Sequence, residues 1–156
     1  MVLFFYRTVE MRASLISILF MSASILFDGC ESDPIIYSEI PEISLQGVSP
    51  ITVSAYNDSI TFVISYTDGD GDLGENSPTA KNLFLTDSRI GSPYQYRISE
   101  LAPNSSITIR GTLTLVLYNP GILGTNPESV TFSIYVKDRA GHTSNTITSP
   151  VITVNP

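Results

Sequence analysis

Residues 66–77 read Tyr-Thr-Asp-Gly-Asp-Gly-Asp-Leu-Gly-Glu-Asn-Ser, so Asp68, Asp70 and Asp72 alternate with glycine. Aspartates at alternate positions of a glycine-rich loop can turn their oxygens onto one centre, because glycine permits the tight backbone needed to wrap a small ion. Left bare, the arrangement is costly: two carboxylates about 4 Å apart repel by roughly 1 kcal/mol in water and about 4 kcal/mol at an effective dielectric near 20. Oxygen donors with no His or Cys beside them select Ca²⁺ over zinc or copper. The chemistry expected is cation binding, with Asp68, Asp70 and Asp72 as ligands. The match to an EF-hand stops halfway. Positions one, three and five are aspartate, but Leu73 stands at position six where glycine is required and Thr79 at position twelve where a glutamate closes the loop. The remaining ligands must come from elsewhere, and Glu75, Asp138 and a backbone carbonyl near Leu73 or Gly74 are the candidates. The competing reading is a solvated, flexible acidic turn.

What must position this loop is a set of strands. Short alternating or β-branched runs recur between turn signals at 43–48, 51–56, 60–66, 82–86, 94–98, 107–117, 130–137 and 146–154, with no helical periodicity between them. That pattern predicts an all-β, immunoglobulin-like antiparallel sandwich of about seven to eight strands over residues 43–156. Ile60, Phe62, Ile64 and Tyr66 share one face of their strand, and Val130, Phe132, Ile134 and Val136 share one face of theirs, which nominates these two as the core pair. Gly111, inside the longest run, predicts a bulge or bend. If 60–66 is the second strand of the sandwich and 130–137 the sixth, the loops that follow them emerge at the same end. The hairpin Lys137-Asp138-Arg139-Ala140-Gly141-His142, with Gly141 at its positive-φ position, then brings Asp138 toward the three aspartates, and Asn145 with it.

Composition narrows the function. A net charge of −7 and eight scattered Lys and Arg exclude the basic patch by which nucleic-acid binders neutralise phosphates. Catalytic patterns are missing from the sequence: the single histidine, His142, lies in a turn, and there is no G-x-S-x-G, phosphate-binding loop, dinucleotide fingerprint or histidine pair. Asp87, Glu100 and Glu128 could be nominated as a glycosidase pair, but nothing in the sequence places them across a cleft. Tyr94 and Tyr96, on one face of a short strand beside Arg97, offer either a stacking platform for sugars or ordinary packing.

The N-terminal region supplies an address. Arg7 and Arg12 precede an apolar run from Ser14 to Phe27, of signal-peptide length, and either Met1 or Met11 can serve as the start. Cys30 is the only cysteine, so no intrachain disulfide forms, and Phe27-Asp28-Gly29-Cys30 resembles a bacterial lipobox. The expected organisation is a lipoprotein signal peptide at 1–29, a lipidated Cys30 with a tether through residue 42, and the sandwich at 43–156. Glu31-Ser32-Asp33 resembles the anionic signal that sends some lipoproteins to the outer face of the envelope.

Taken together, the strand ending in YTDGDGDLG, the following NLFLTD, the YVKDRAGHTSN hairpin and the closing TITSPVITV resemble Bacteroidetes-type lipoproteins with a single immunoglobulin-like domain. The resemblance covers most of residues 43–154 and implies a sandwich fold and an outer-membrane, cell-surface location. The expectation is a non-enzymatic envelope lipoprotein, anchored to the membrane through Cys30, with a calcium-stabilised module that binds a protein or glycan or plays a structural part. The alternative is an accessory or catalytic component of a surface polysaccharide-processing system.

Overall fold

The computed structural model describes residues 35–102 and 106–156; the leader expected at 1–29, Cys30 and the tether as far as Pro34 lie outside the described residues. All regular structure among the described residues is strand: β1 (Glu42–Ser49), β2 (Thr52–Ser54), β3 (Ser59–Asp68), β4 (Leu83–Asp87), β5 (Pro93–Tyr96), β6 (Ile109–Tyr118), β7 (Glu128–Val130), β8 (Phe132–Val136), β9 (Ile147–Thr148) and β10 (Ile152–Asn155). One layer is the antiparallel sheet β1-β3-β6. The other contains β5-β4-β8-β9 and β2-β10-β7, with β2 running parallel to β10. Only Thr131 separates β7 from β8, and only residues 149–151 separate β9 from β10, so these two sheets are consecutive stretches of a single layer. The chain is a β-sandwich, as the periodicity predicts; ten strands appear instead of eight because the last two runs are each interrupted once.

Both interruptions have a local cause. Three steps along one strand, from Ser133 to Val130, face four along its partner, from Thr148 to Ile152, so one extra residue is accommodated where Pro150 has no N–H to offer the ladder. Ser149 fills the gap: its N–H donates to the Phe132 carbonyl (2.9 Å) and its hydroxyl accepts from the Phe132 N–H (2.9 Å). Ser144 makes the same pair of bonds to Val136, each 3.0 Å long.

The core is the one expected. Ile60, Phe62 and Ile64 of β3 face Val130, Phe132, Ile134 and Val136 across the layers, all fully buried or nearly so. Phe62 and Phe132 meet edge to face at 5.6 Å between ring centroids. The bulge predicted at Gly111 is not there: β6 pairs with β3 without a slip from Ile109 to Tyr118, and the irregularity in this sheet falls at Leu45–Gly47 of β1. Gly111 instead makes room, since the Tyr66 ring lies where its side chain would project.

Topology gathers the acidic loop (69–82), residues 97–102 and 106–108, the 137–146 hairpin and the start of β1 at one end of the sandwich. Asn145 ties that end together. Its Oδ1 accepts from the Ile43 N–H and its Nδ2 donates to the Ile43 carbonyl, both at 2.8 Å, so the side-chain amide stands in for a neighbouring strand and links the two layers. This bidentate contact predicts that Asn145→Ala destabilises the domain by about 2 kcal/mol. Asn145→Asp should cost at least as much despite its equal size, because a carboxylate cannot donate to the Ile43 carbonyl. Urea titration with an unchanged slope checks both; an aspartate variant as stable as the wild type would refute the clasp.

Candidate metal centre

Asp68 is the last residue of β3, and its side chain is wholly buried. Its Oδ2 accepts the Leu73 N–H at 2.8 Å, while Leu73, 0 % exposed, is driven into the core beneath it. The residue that departs from the EF-hand pattern therefore plugs the sandwich and fixes the base of the loop. The rest of the loop is tied along its length. Glu75 donates its N–H to the Ile98 carbonyl (3.0 Å), and Asn76 donates from Nδ2 to Glu100 (2.6 Å) and accepts at its carbonyl from Arg97 (3.0 Å).

Asp68, Asp70 and Asp72 each bring a carboxylate oxygen into a group whose members all lie within 4.8 Å of one another. On each of the three, Oδ1 is buried with no hydrogen-bond partner. Burial, together with the charges of Asp70 and Asp72, pushes the Asp68 carboxyl up to about 6 against the opposing pull of the Leu73 N–H. Asp72 is raised as well, first by burial and then by Asp138. Tyr66 is raised by burial and by the neighbouring Asp68 charge. The cluster could hold a metal ion: a dense set of hard oxygen donors, desolvated, convergent and short of positive charge.

The 137–146 hairpin arrives as the shared-end argument requires, with Gly141 at φ 94°. It braces the site mainly through its backbone: the Ala140 N–H donates to Asp72 Oδ2 at 2.9 Å, and the Arg139 N–H reaches the Asp72 carbonyl at 3.4 Å. Asp138 lies close enough to act on Asp72, yet both its oxygens already accept bonds from His142, Oδ1 from the N–H (2.7 Å) and Oδ2 at the ring Nδ1 (2.9 Å). Glu75 is exposed and stands apart from the group of three. Asn145 faces Ile43, as described. The sequence reading missed the contributions of Tyr37, Ser38 and Thr108. The Ser38 carbonyl accepts the Gly69 N–H (2.9 Å) and the Thr108 hydroxyl donates to the Gly69 carbonyl (3.1 Å). No periodicity or motif marks these residues.

The other nominated carboxylates are engaged. Asp87 and Glu128 grip one guanidinium, that of Arg89, at 2.6 and 2.7 Å, and Glu128 also accepts from the Leu123 and Gly124 N–H groups. Glu100 bonds Asn76 and lies 3.5 Å from Arg139. Tyr94 and Tyr96 are half-buried and pack against the core.

The raised carboxyl of Asp68 has a thermodynamic sign. Between the unfolded value of 3.8 and the folded value of about 6 the folded state holds more proton than the unfolded one, so without a cation stability falls as pH rises through that window. Asp72 adds in the same direction. The expected loss between pH 4 and 7 in chelator is on the order of 2 kcal/mol once solvent screening at the loop is allowed for. Thermal unfolding across that range should show it, and Asp68→Asn should flatten it; a wild-type midpoint that rises from pH 4 to 7 in chelator would contradict the assignment.

Searches against protein-family models and curated proteins found no match to this chain, so the functional reading rests on the geometry of this cluster and the strands that hold it.

Proposed function

We propose that this chain is a non-enzymatic cell-envelope lipoprotein, held to the outer membrane through a lipid on Cys30, whose immunoglobulin-like domain binds Ca²⁺ at Asp68, Asp70 and Asp72 and serves as a binding or structural module at the cell surface. The observation that carries the calcium reading is that three aspartates each turn a carboxylate oxygen into one group and each keep a buried Oδ1 without a partner, with Asp68 wholly removed from solvent. A native fold leaves few buried polar atoms unsatisfied, and three carboxylates together call for a counter-charge. Oxygens as far apart as 4.8 Å can be reached at once by an ion with ligands at about 2.3–2.6 Å, the range of Ca²⁺. Backbone carbonyls and water complete such a shell without further side chains. The lipid anchor is supported by the N-terminal sequence, the surface location by Glu31-Ser32-Asp33 and by the resemblance of residues 43–154, and the partner, a protein or a glycan, by the loops that the ion would stiffen at one end of the sandwich.

Thermal unfolding of the full chain in EDTA and in about 1 mM Ca²⁺ tests the reading. At ten times the dissociation constant the ion contributes roughly 1.4 kcal/mol, and a domain of this size should gain about 3–6 °C. The double variant Asp70→Asn, Asp72→Asn should lose the gain while keeping the sandwich. A wild-type midpoint that does not move even at about 5 mM would sink the calcium assignment.

A further inference from the structure

The segment that leads into β1 does not stand clear of the domain. Tyr37 and Ser38 lie on the acidic loop, and their contacts converge on Gly69, the residue between the first two carboxylates. The Gly69 N–H donates to the Ser38 carbonyl at 2.9 Å. The approach is so close that a Cβ on Gly69 would overlap the Ser38 carbonyl and come within 2.7 Å of the Tyr37 oxygen, so only glycine fits. Alongside, the Arg110 guanidinium covers the Tyr37 ring at 3.9 Å, and Arg110 pairs across β3 with Thr67, the neighbour of Asp68.

We propose that Tyr37–Ile40 form a strap whose docking is coupled to cation occupancy of the Asp68–Asp70–Asp72 cluster, so that the ion shortens the domain's tether when it binds. The inference rests on the reading of the cluster as a cation site, which the wholly buried, unpartnered Oδ1 of Asp68 supports independently of the strap. The coupling is mechanical. Without a cation the three carboxylates relieve their repulsion by moving apart, and a displacement of Asp68 from Asp70 carries the Gly69 amide between them away from Ser38. With the ion in place that amide is fixed and the strap has a surface to bond. Ser38, Glu39 and Ile40 are exposed and the strap is held by few contacts, as suits an element that opens locally. Release of these four residues lengthens the connection by about 13 Å at 3.3–3.6 Å per residue. Because coupling is reciprocal, strap docking also tightens the site for its ion.

Amide hydrogen exchange on the full chain, with Ca²⁺ as the only added ligand, reads the coupling directly. A glutamyl endopeptidase that cuts after Glu39 gives a second reading. Ca²⁺ should slow exchange of the Gly69 amide and cleavage at Glu39 by at least tenfold. Gly69→Ala should abolish that protection yet still bind Ca²⁺ in calorimetry, three- to tenfold more weakly. Tyr37→Ala, which leaves the loop backbone untouched, should weaken both effects in the same direction and covers the case in which Gly69→Ala fails to fold. Calcium binding with unchanged exchange at Gly69 and unchanged cleavage at Glu39 overturns the strap while leaving the metal site intact. No calcium binding by the wild type overturns both.

Discussion

The bond from the Leu73 N–H to Asp68 Oδ2, made over a leucine sunk in the core, is the constraint on which this end of the molecule depends. An exposed run of alternating aspartates would spread its charges into water at little cost. Here the chain must turn sharply after β3 so that Leu73 can reach the sandwich interior, and the turn folds Asp70 and Asp72 back over a buried Asp68. Hydrophobic burial of one side chain, worth about 2 kcal/mol, thus works against electrostatic repulsion of comparable size. The hairpin closes the remaining direction through its backbone N–H groups, which hold Asp72 without neutralising it.

Around this loop, side chains repeatedly take the place of missing strands. Asn145 serves Ile43 as a strand edge would. Asn82 does the same for Ile98, accepting its N–H at 2.6 Å and donating to its carbonyl at 3.0 Å. Ser144 and Ser149 patch the ladder where the last strand leaves and rejoins its neighbour. Each arrangement satisfies backbone groups that irregular chain would otherwise leave buried and unpaired. The consequence is a braced rim, in which the segments flanking the aspartates are held by specific short bonds and any movement the carboxylates make is confined to the loop itself.

The sandwich was legible because its signal is periodic: β3 and β7–β8 declare their buried faces by strict alternation, and Phe62 meets Phe132 as that alternation requires. The three aspartates were legible because their spacing is chemically unusual. What the sequence hid is contact between distant segments. Gly111 looks like a bulge until the Tyr66 ring is seen across it, and Leu73 looks like a defect in an EF-hand until it is found in the core. Asp138 shares an end with the aspartates, as topology demands, but its histidine, four residues on, takes up both its oxygens. Ser38 and Thr108 carry no pattern, since a backbone carbonyl and a lone hydroxyl can bond wherever the fold brings them.

The two ends of the sandwich answer one electrostatic problem in different ways. At the end where β4 finishes, Asp87 and Glu128 converge as well, but Arg89 sits between them, bonded to both and to the Gly121 carbonyl. The counter-charge is built into the chain, and that end is closed under all conditions in which arginine is charged. At the other end the charge of Arg139 acts on Asp72 from a distance, yet its bonds go to the Gly74 carbonyl and toward Glu100, and the three Oδ1 atoms accept no hydrogen bond from it. A sequence able to place an arginine between two carboxylates at one end has left three without one at the other. Permanent neutralisation makes a fixed element. A site that must draw its positive charge from solution makes a conditional one, and it is at this conditional end that the chain leading into β1 is fastened.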